Sequence, residues 1–93
     1  MINSFADKGT QDIYHRINSK VSRKTLPIHL HKIAYRKLDM LDSAYMLEDL
    51  ALPPSNHLEA LKGKYSIRIN KQWRIIFSWT SLGIEDVKIE DYH

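Results

Sequence analysis

The chain has 93 residues, 43% hydrophobic and 27% charged, with a net charge of +3, a composition that fits one folded domain over residues 1–93 and argues against disorder. It contains no cysteine, which excludes disulfides and thiolate chemistry. No apolar run approaches the roughly 18 residues that span a bilayer, and the opening MINSFADKG lacks a basic start followed by an apolar stretch, so a cytoplasmic protein without a membrane anchor or secretory signal is expected.

MINSF alternates and reads as a short strand. ADKGTQDIYHRINSK reads as a helix with Ile13 and Ile17 four apart on one face, although Gly9 weakens it. VSRKT then reads as a polar break. Pro27 suits the first position of a helix, where its missing N–H costs nothing, and Leu30, Ile33, Ala34, Leu38 and Leu41 follow with helical spacing. SAYMLEDLAL adds a short third helix that PPSN stops.

After residue 55 the period becomes two. Tyr65, Ile67 and Ile69 alternate with Ser66, Arg68 and Asn70, NKQ turns the chain, and Trp73, Ile75, Phe77 and Trp79 alternate with Arg74, Ile76 and Ser78. TSLG turns it again before Val87 and Ile89. Consecutive hairpins imply an antiparallel sheet with its apolar face on the helices. The expected fold is α+β, with N-terminal helices packed on a twisted antiparallel sheet.

Charge is unevenly placed. Residues 62–74 carry Lys62, Lys64, Arg68, Lys71 and Arg74 with no acid, and residues 85–91 carry four acids and one lysine. Strand alternation sends Arg68 and Arg74 to the face opposite the isoleucines. Guanidinium forks and lysine point charges on one sheet face suit a phosphate backbone; a solvated strand face is the alternative. The closing Asp91-Tyr92-His93 offers a carboxylate, a phenol and an imidazole, and His93 is suited to proton transfer near neutrality. The plain alternative has Tyr92 packing at a sheet edge. His29 and His31 are two apart on a helix, point in different directions and make a poor metal pair; with His15 they read as surface residues. His57 lies beside a turn. No HExxH motif, phosphate loop or GxSxG elbow is present, so neither a metal nor an organic cofactor is expected.

RKLDMLDSA, DLALPPSNHLEALKG, YSIRINKQWRIIFSW and the closing DYH, in that order from about Arg36 to His93, resemble the HigB-type toxins, or plasmid maintenance killer proteins, of the RelE/ParE superfamily. The resemblance implies a bacterial toxin that cleaves messenger RNA on the ribosome, neutralised by a HigA-like helix-turn-helix antitoxin through which the pair represses its operator DNA. It implies catalytic roles for Arg74, Asp91, Tyr92 and His93, with Arg74 on the scissile phosphate, and a basic position at Lys62 and an RNA contact from Arg68; Lys64, from the basic run, and His57, which departs from the family pattern, complete the expected RNA-binding set. Two departures stand out. His57 replaces an arginine of related toxins, and the position of a catalytic histidine in some HigB toxins, aligned on LKG, is Glu59 here. The connection between LKG and YSIRIN is also shorter than in many relatives. The same superfamily fold serves gyrase-poisoning binders without nuclease chemistry, so fold alone does not fix the activity, and an inactive antitoxin-binding relative is a third reading.

Overall fold

The computed structural model describes residues 1–92; His93 lies outside the described residues. Three α-helices precede the sheet: α1 (Lys8–Tyr14), α2 (Lys20–Thr25) and α3 (His31–Ser43). The strands β1 (Glu59–Leu61), β2 (Lys64–Arg68), β3 (Trp73–Thr80) and β4 (Gly83–Asp91) form one antiparallel sheet in chain order. Short 3₁₀ turns lie at Ile28–Leu30, Leu47–Ala51 and Pro54–Asn56. The α+β arrangement with helices first is the one the sequence pattern implies.

The helical half departs from expectation in detail. The first helix stops at Tyr14 instead of running on, because Arg16 adopts a left-handed backbone (φ 58°) and Ile17 N–H turns back to the Asp12 carbonyl at 2.8 Å. Ile17 therefore does not share a buried face with Ile13; it is exposed while Ile13 is fully buried. The stretch read as a polar break is α2. Its start is set by a reciprocal cap: the Ser22 amide donates to Ser19 Oγ (3.1 Å) and the Ser19 amide to Ser22 Oγ (3.0 Å). Ser19 Oγ also donates to Asp12 Oδ2 at 2.6 Å, and Lys8 Nζ pairs with Asp12 Oδ1 at 2.9 Å, which together hold the Asp12 carboxyl below its ordinary range. Gly9 lets the two helices meet. A Cβ there would lie 1.7 Å from Thr25 Oγ1 and 3.1 Å from the Val21 carbonyl.

Pro27 precedes a 3₁₀ turn, and α3 proper begins at His31. His31, expected at the surface, is buried; its Nε2–H donates to the Leu26 carbonyl at 2.7 Å and ties the end of α2 to the start of α3. The short helix expected over SAYMLEDLAL is a 3₁₀ turn at Leu47–Ala51. MINSF runs beside β4 as a parallel neighbour through the single bridges Ile2–Ile84 and Phe5–Val87.

Ile67, Ile69, Ile75, Phe77, Ile84, Val87 and Ile89 from the sheet meet Ile13, Leu26, Leu30, Ala34, Leu38, Leu41 and Leu50 in the core. Ile84 and Val87 are an odd number of residues apart, yet both point inward. A bulge explains this: Ile76 pairs with Lys88 but Ser78 with Glu85, so β4 carries an extra residue, and Asp86 takes it up in a left-handed conformation (φ 54°). Thr10 Oγ1 accepts the Ile89 amide at 3.0 Å and fixes α1 against β4.

Candidate active site

The sheet face turned away from the helices carries Glu59 on β1, Lys64, Ser66 and Arg68 on β2, Arg74 on β3 and Lys88 and Glu90 on β4, by the registers Glu59–Ser66, Arg68–Arg74 and Arg74–Glu90. On this face Arg74 does not project into solvent as alternation alone suggests. It is 3% exposed. Its side chain crosses β2: Nε–H donates to Ser66 Oγ (2.8 Å), and Nη2–H donates to the Ser66 carbonyl (3.3 Å) and the His57 carbonyl (2.5 Å). Nη1 faces Glu59 Oε1 at 3.9 Å, and the Tyr92 ring centroid lies 5.5 Å from Cζ, within cation–π reach.

The His57 carbonyl is presented by a loop that is itself anchored. His57 has a left-handed backbone (φ 44°) directly after the 3₁₀ turn Pro54–Asn56. Asn56 is fully buried; its Nδ2 donates to the Leu50 (3.1 Å) and Leu52 (3.3 Å) carbonyls, and its Oδ1 accepts from Lys37 Nζ on α3. Burial, and then the neighbouring Arg36 charge, lower the Lys37 pKa. A chain of polar contacts thus runs from α3 through Asn56 and the adjoining His57 to the guanidinium. A buried guanidinium fixed by three acceptors is held in one orientation and keeps little side-chain freedom.

The other residues singled out from sequence divide into three groups. Arg74, Tyr92 and, through its backbone, His57 come together. Arg68 is the direct cross-strand neighbour of Arg74, half-buried and without an ion pair among the described residues; Lys64 lies on the same face, and Lys62 sits exposed in the β1–β2 turn with Gly63 (φ 70°). Asp91 goes elsewhere. It pairs in register with Trp73, on the face opposite Arg74, and accepts from Gln72 Nε2 at 3.0 Å. The expected role of His93 falls outside the described residues.

Sequence reasoning did not anticipate β1, nor therefore the placement of Glu59 and Ser66 around Arg74. The two-residue Lys62-Gly63 connection, with glycine at the left-handed position, is the signal for that hairpin. A cleft of about 730 Å³ lies at the other end of the strands, lined by Met1, Tyr45, Trp79, Leu82 and Ile84 among others, well away from the Arg74 cradle.

Among the described residues no helix is long and apolar enough to cross a membrane. A family model described as the RelE-like toxin of the type II toxin–antitoxin system HigB matches residues 3–93, a wider span than the sequence motifs alone cover. The chain is 40% identical over 79 residues to Toxin HigB-1 of Vibrio cholerae, covering 81% of this chain and 80% of that protein. It is 38% identical over 71 residues to an uncharacterized protein of Haemophilus influenzae, covering 72% of this chain and 70% of that one. The chain therefore belongs to the HigB-like family of RelE-like toxins of type II toxin–antitoxin systems, and an antitoxin is its implied partner.

Proposed function

We propose that this toxin is a ribosome-dependent endoribonuclease that stops translation by cutting messenger RNA, with the substrate's own 2′-hydroxyl as nucleophile. A base takes the 2′-hydroxyl proton, the 2′-oxygen bonds to phosphorus, the bond from phosphorus to the 5′-oxygen breaks, and an acid protonates that oxygen. The products are a 2′,3′-cyclic phosphate and a free 5′-hydroxyl, and the reaction calls for no metal. Well-placed acids and bases contribute about 10²–10⁴-fold each, and preorganised donors on the developing charge contribute on a similar scale.

The observation that carries this reading is the Arg74 cradle on a cationic sheet face. Arg74, with Arg68 and Lys62, holds the phosphate; Lys64 and His57 extend the RNA contact; His93 is the favoured proton-transfer group with Tyr92 beside it; and Asp91 orients the strand end through Gln72. The partners of this reading are a HigA-like helix-turn-helix antitoxin, the ribosome with its message, and operator DNA reached through the antitoxin.

Induction of the wild type and of His93→Ala without antitoxin, followed by mapping of RNA 5′ ends, tests it. New ends inside translated messages, lost in the variant, support the nuclease. Growth arrest that persists in His93→Ala with DNA damage and intact messages favours a gyrase-directed binder, and no arrest at all favours an inactive relative.

A further inference from the structure

We infer that Ile76 is the apolar floor of a subsite for the base next to the cut, with Lys88 meeting that nucleotide's phosphate, an assignment that rests on the nuclease reading above. Among the described residues, two half-buried apolar side chains do not pack against the core, Leu61 and Ile76. Both belong to the cationic face of the sheet, since Leu61 lies two residues after Glu59 on β1 and Ile76 two residues after Arg74 on β3. Leu61 is on the edge strand. Ile76 stands in the middle of the sheet, opposite Ser66 on β2 and Lys88 on β4. Strand geometry sets it about 7 Å from Arg74 along β3 and about 5 Å from Lys88 across the ladder. On the β2 side it borders Ser66, whose hydroxyl holds Arg74 Nε at 2.8 Å, so the apolar spot adjoins the cradle directly.

Charge decides what covers this spot. Lys64 and Arg68 on β2 have no ion pair among the described residues. Lys88 pairs with Glu90 at 3.3 Å, with both side chains close to half exposed, a contact worth little that an anion can displace. Apolar surface with cations on both sides suits a single-stranded nucleotide, whose unstacked base seeks apolar cover while its phosphate seeks a positive charge. A base paired in a duplex stays stacked and cannot lie on Ile76. A purine covers more of the isoleucine than a pyrimidine does, so the subsite favours a purine.

Combining base removal with side-chain truncation tests this. Messages carrying an abasic nucleotide on one side or the other of the mapped cut are loaded on ribosomes, and cutting is followed against toxin concentration. One of the two abasic messages should need about tenfold more wild-type toxin for half-maximal cutting. Ile76→Ala should need about tenfold more on the intact message and no further increase on that abasic one. Ile76→Val keeps the branched surface and the strand preference and should stay close to the wild type. Lys88→Gln should weaken cutting of intact and abasic messages alike. A wild type indifferent to both abasic messages, losses from base removal and Ile76→Ala that multiply, or Ile76→Ala cutting the intact message as the wild type does would each overturn the subsite; in the last case, lost antitoxin binding would make Ile76 a protein contact instead. A wild type that cuts no ribosome-bound message would overturn the nuclease reading itself, and this subsite with it.

Discussion

Ser66→Ala isolates the cradle without touching any group proposed to meet RNA. Ser66 is fully buried and Arg74 is 3% exposed, so water cannot replace the lost hydroxyl as acceptor for Nε–H. A buried donor left without a partner costs about 1–3 kcal/mol, towards the upper end when the donor is charged. For a chain of this size each kcal/mol lowers the melting temperature by about 4–8 °C. Urea unfolding should show a lower midpoint with an unchanged slope, since little surface exposure changes. Arg74 would retain its Nη2 bonds to the Ser66 and His57 carbonyls but lose the contact that fixes its roll about the side-chain axis. Cleavage of ribosome-bound message should fall by more than the folded fraction does, through a misaimed Nη1. An unchanged midpoint together with unchanged cleavage would refute the view that Ser66 sets the guanidinium.

Gly9→Ala should destabilise by about 1–3 kcal/mol, as overpacking does, because the new methyl meets the branched Thr25 rather than a flexible tip; calorimetry reads this, and Gly9→Ala with Thr25→Ser should recover only part of it. Asn56→Ala strips two loop carbonyls of their donor and leaves Lys37 Nζ buried without its acceptor, so it should cost more than Ser66→Ala and loosen the His57 carbonyl, which hydrogen exchange over the 50–58 loop would show. Asp12 has a lowered pKa in the fold, from the Ser19 hydroxyl first and Lys8 second. Its contribution is therefore complete above the ordinary carboxylate value of about 4 and is lost as pH falls through the lower folded-state value; the Asp12→Asn variant should lack that acid-side component in a pH series of unfolding midpoints.

The sheet was legible because its signal is local. Ile67 and Ile69, then Trp73, Ile75 and Phe77, alternate cleanly, and each side chain's face follows from its neighbour's. Placement of Arg68 and Arg74 on one face followed from that alternation; Lys64 joins them because β2 begins at that residue. The helical half was less legible because it turns on specific contacts. α2 exists through the Ser19–Ser22 cap, and α1 ends where Arg16 turns left-handed; neither leaves an apolar period to read. β1 is too short for a pattern, yet it supplies Glu59 to the site. The burial of Arg74 was also hidden, because the groups that take it in, the Ser66 hydroxyl and a carbonyl 17 residues away, meet only when the sheet and the loop are assembled. Asp91 shows the converse limit. Its neighbours in sequence suggested one cluster, whereas strand alternation sends it and Arg74 to opposite faces.

The most direct test of the central claim places a single 2′-deoxy nucleotide at the mapped cut site of a message on purified ribosomes and adds the wild-type toxin. If the substrate's hydroxyl is the nucleophile held against Arg74, the ordinary message is cut to a 2′,3′-cyclic phosphate end and the deoxy message survives at that position. Equal cutting of both messages would contradict the mechanism.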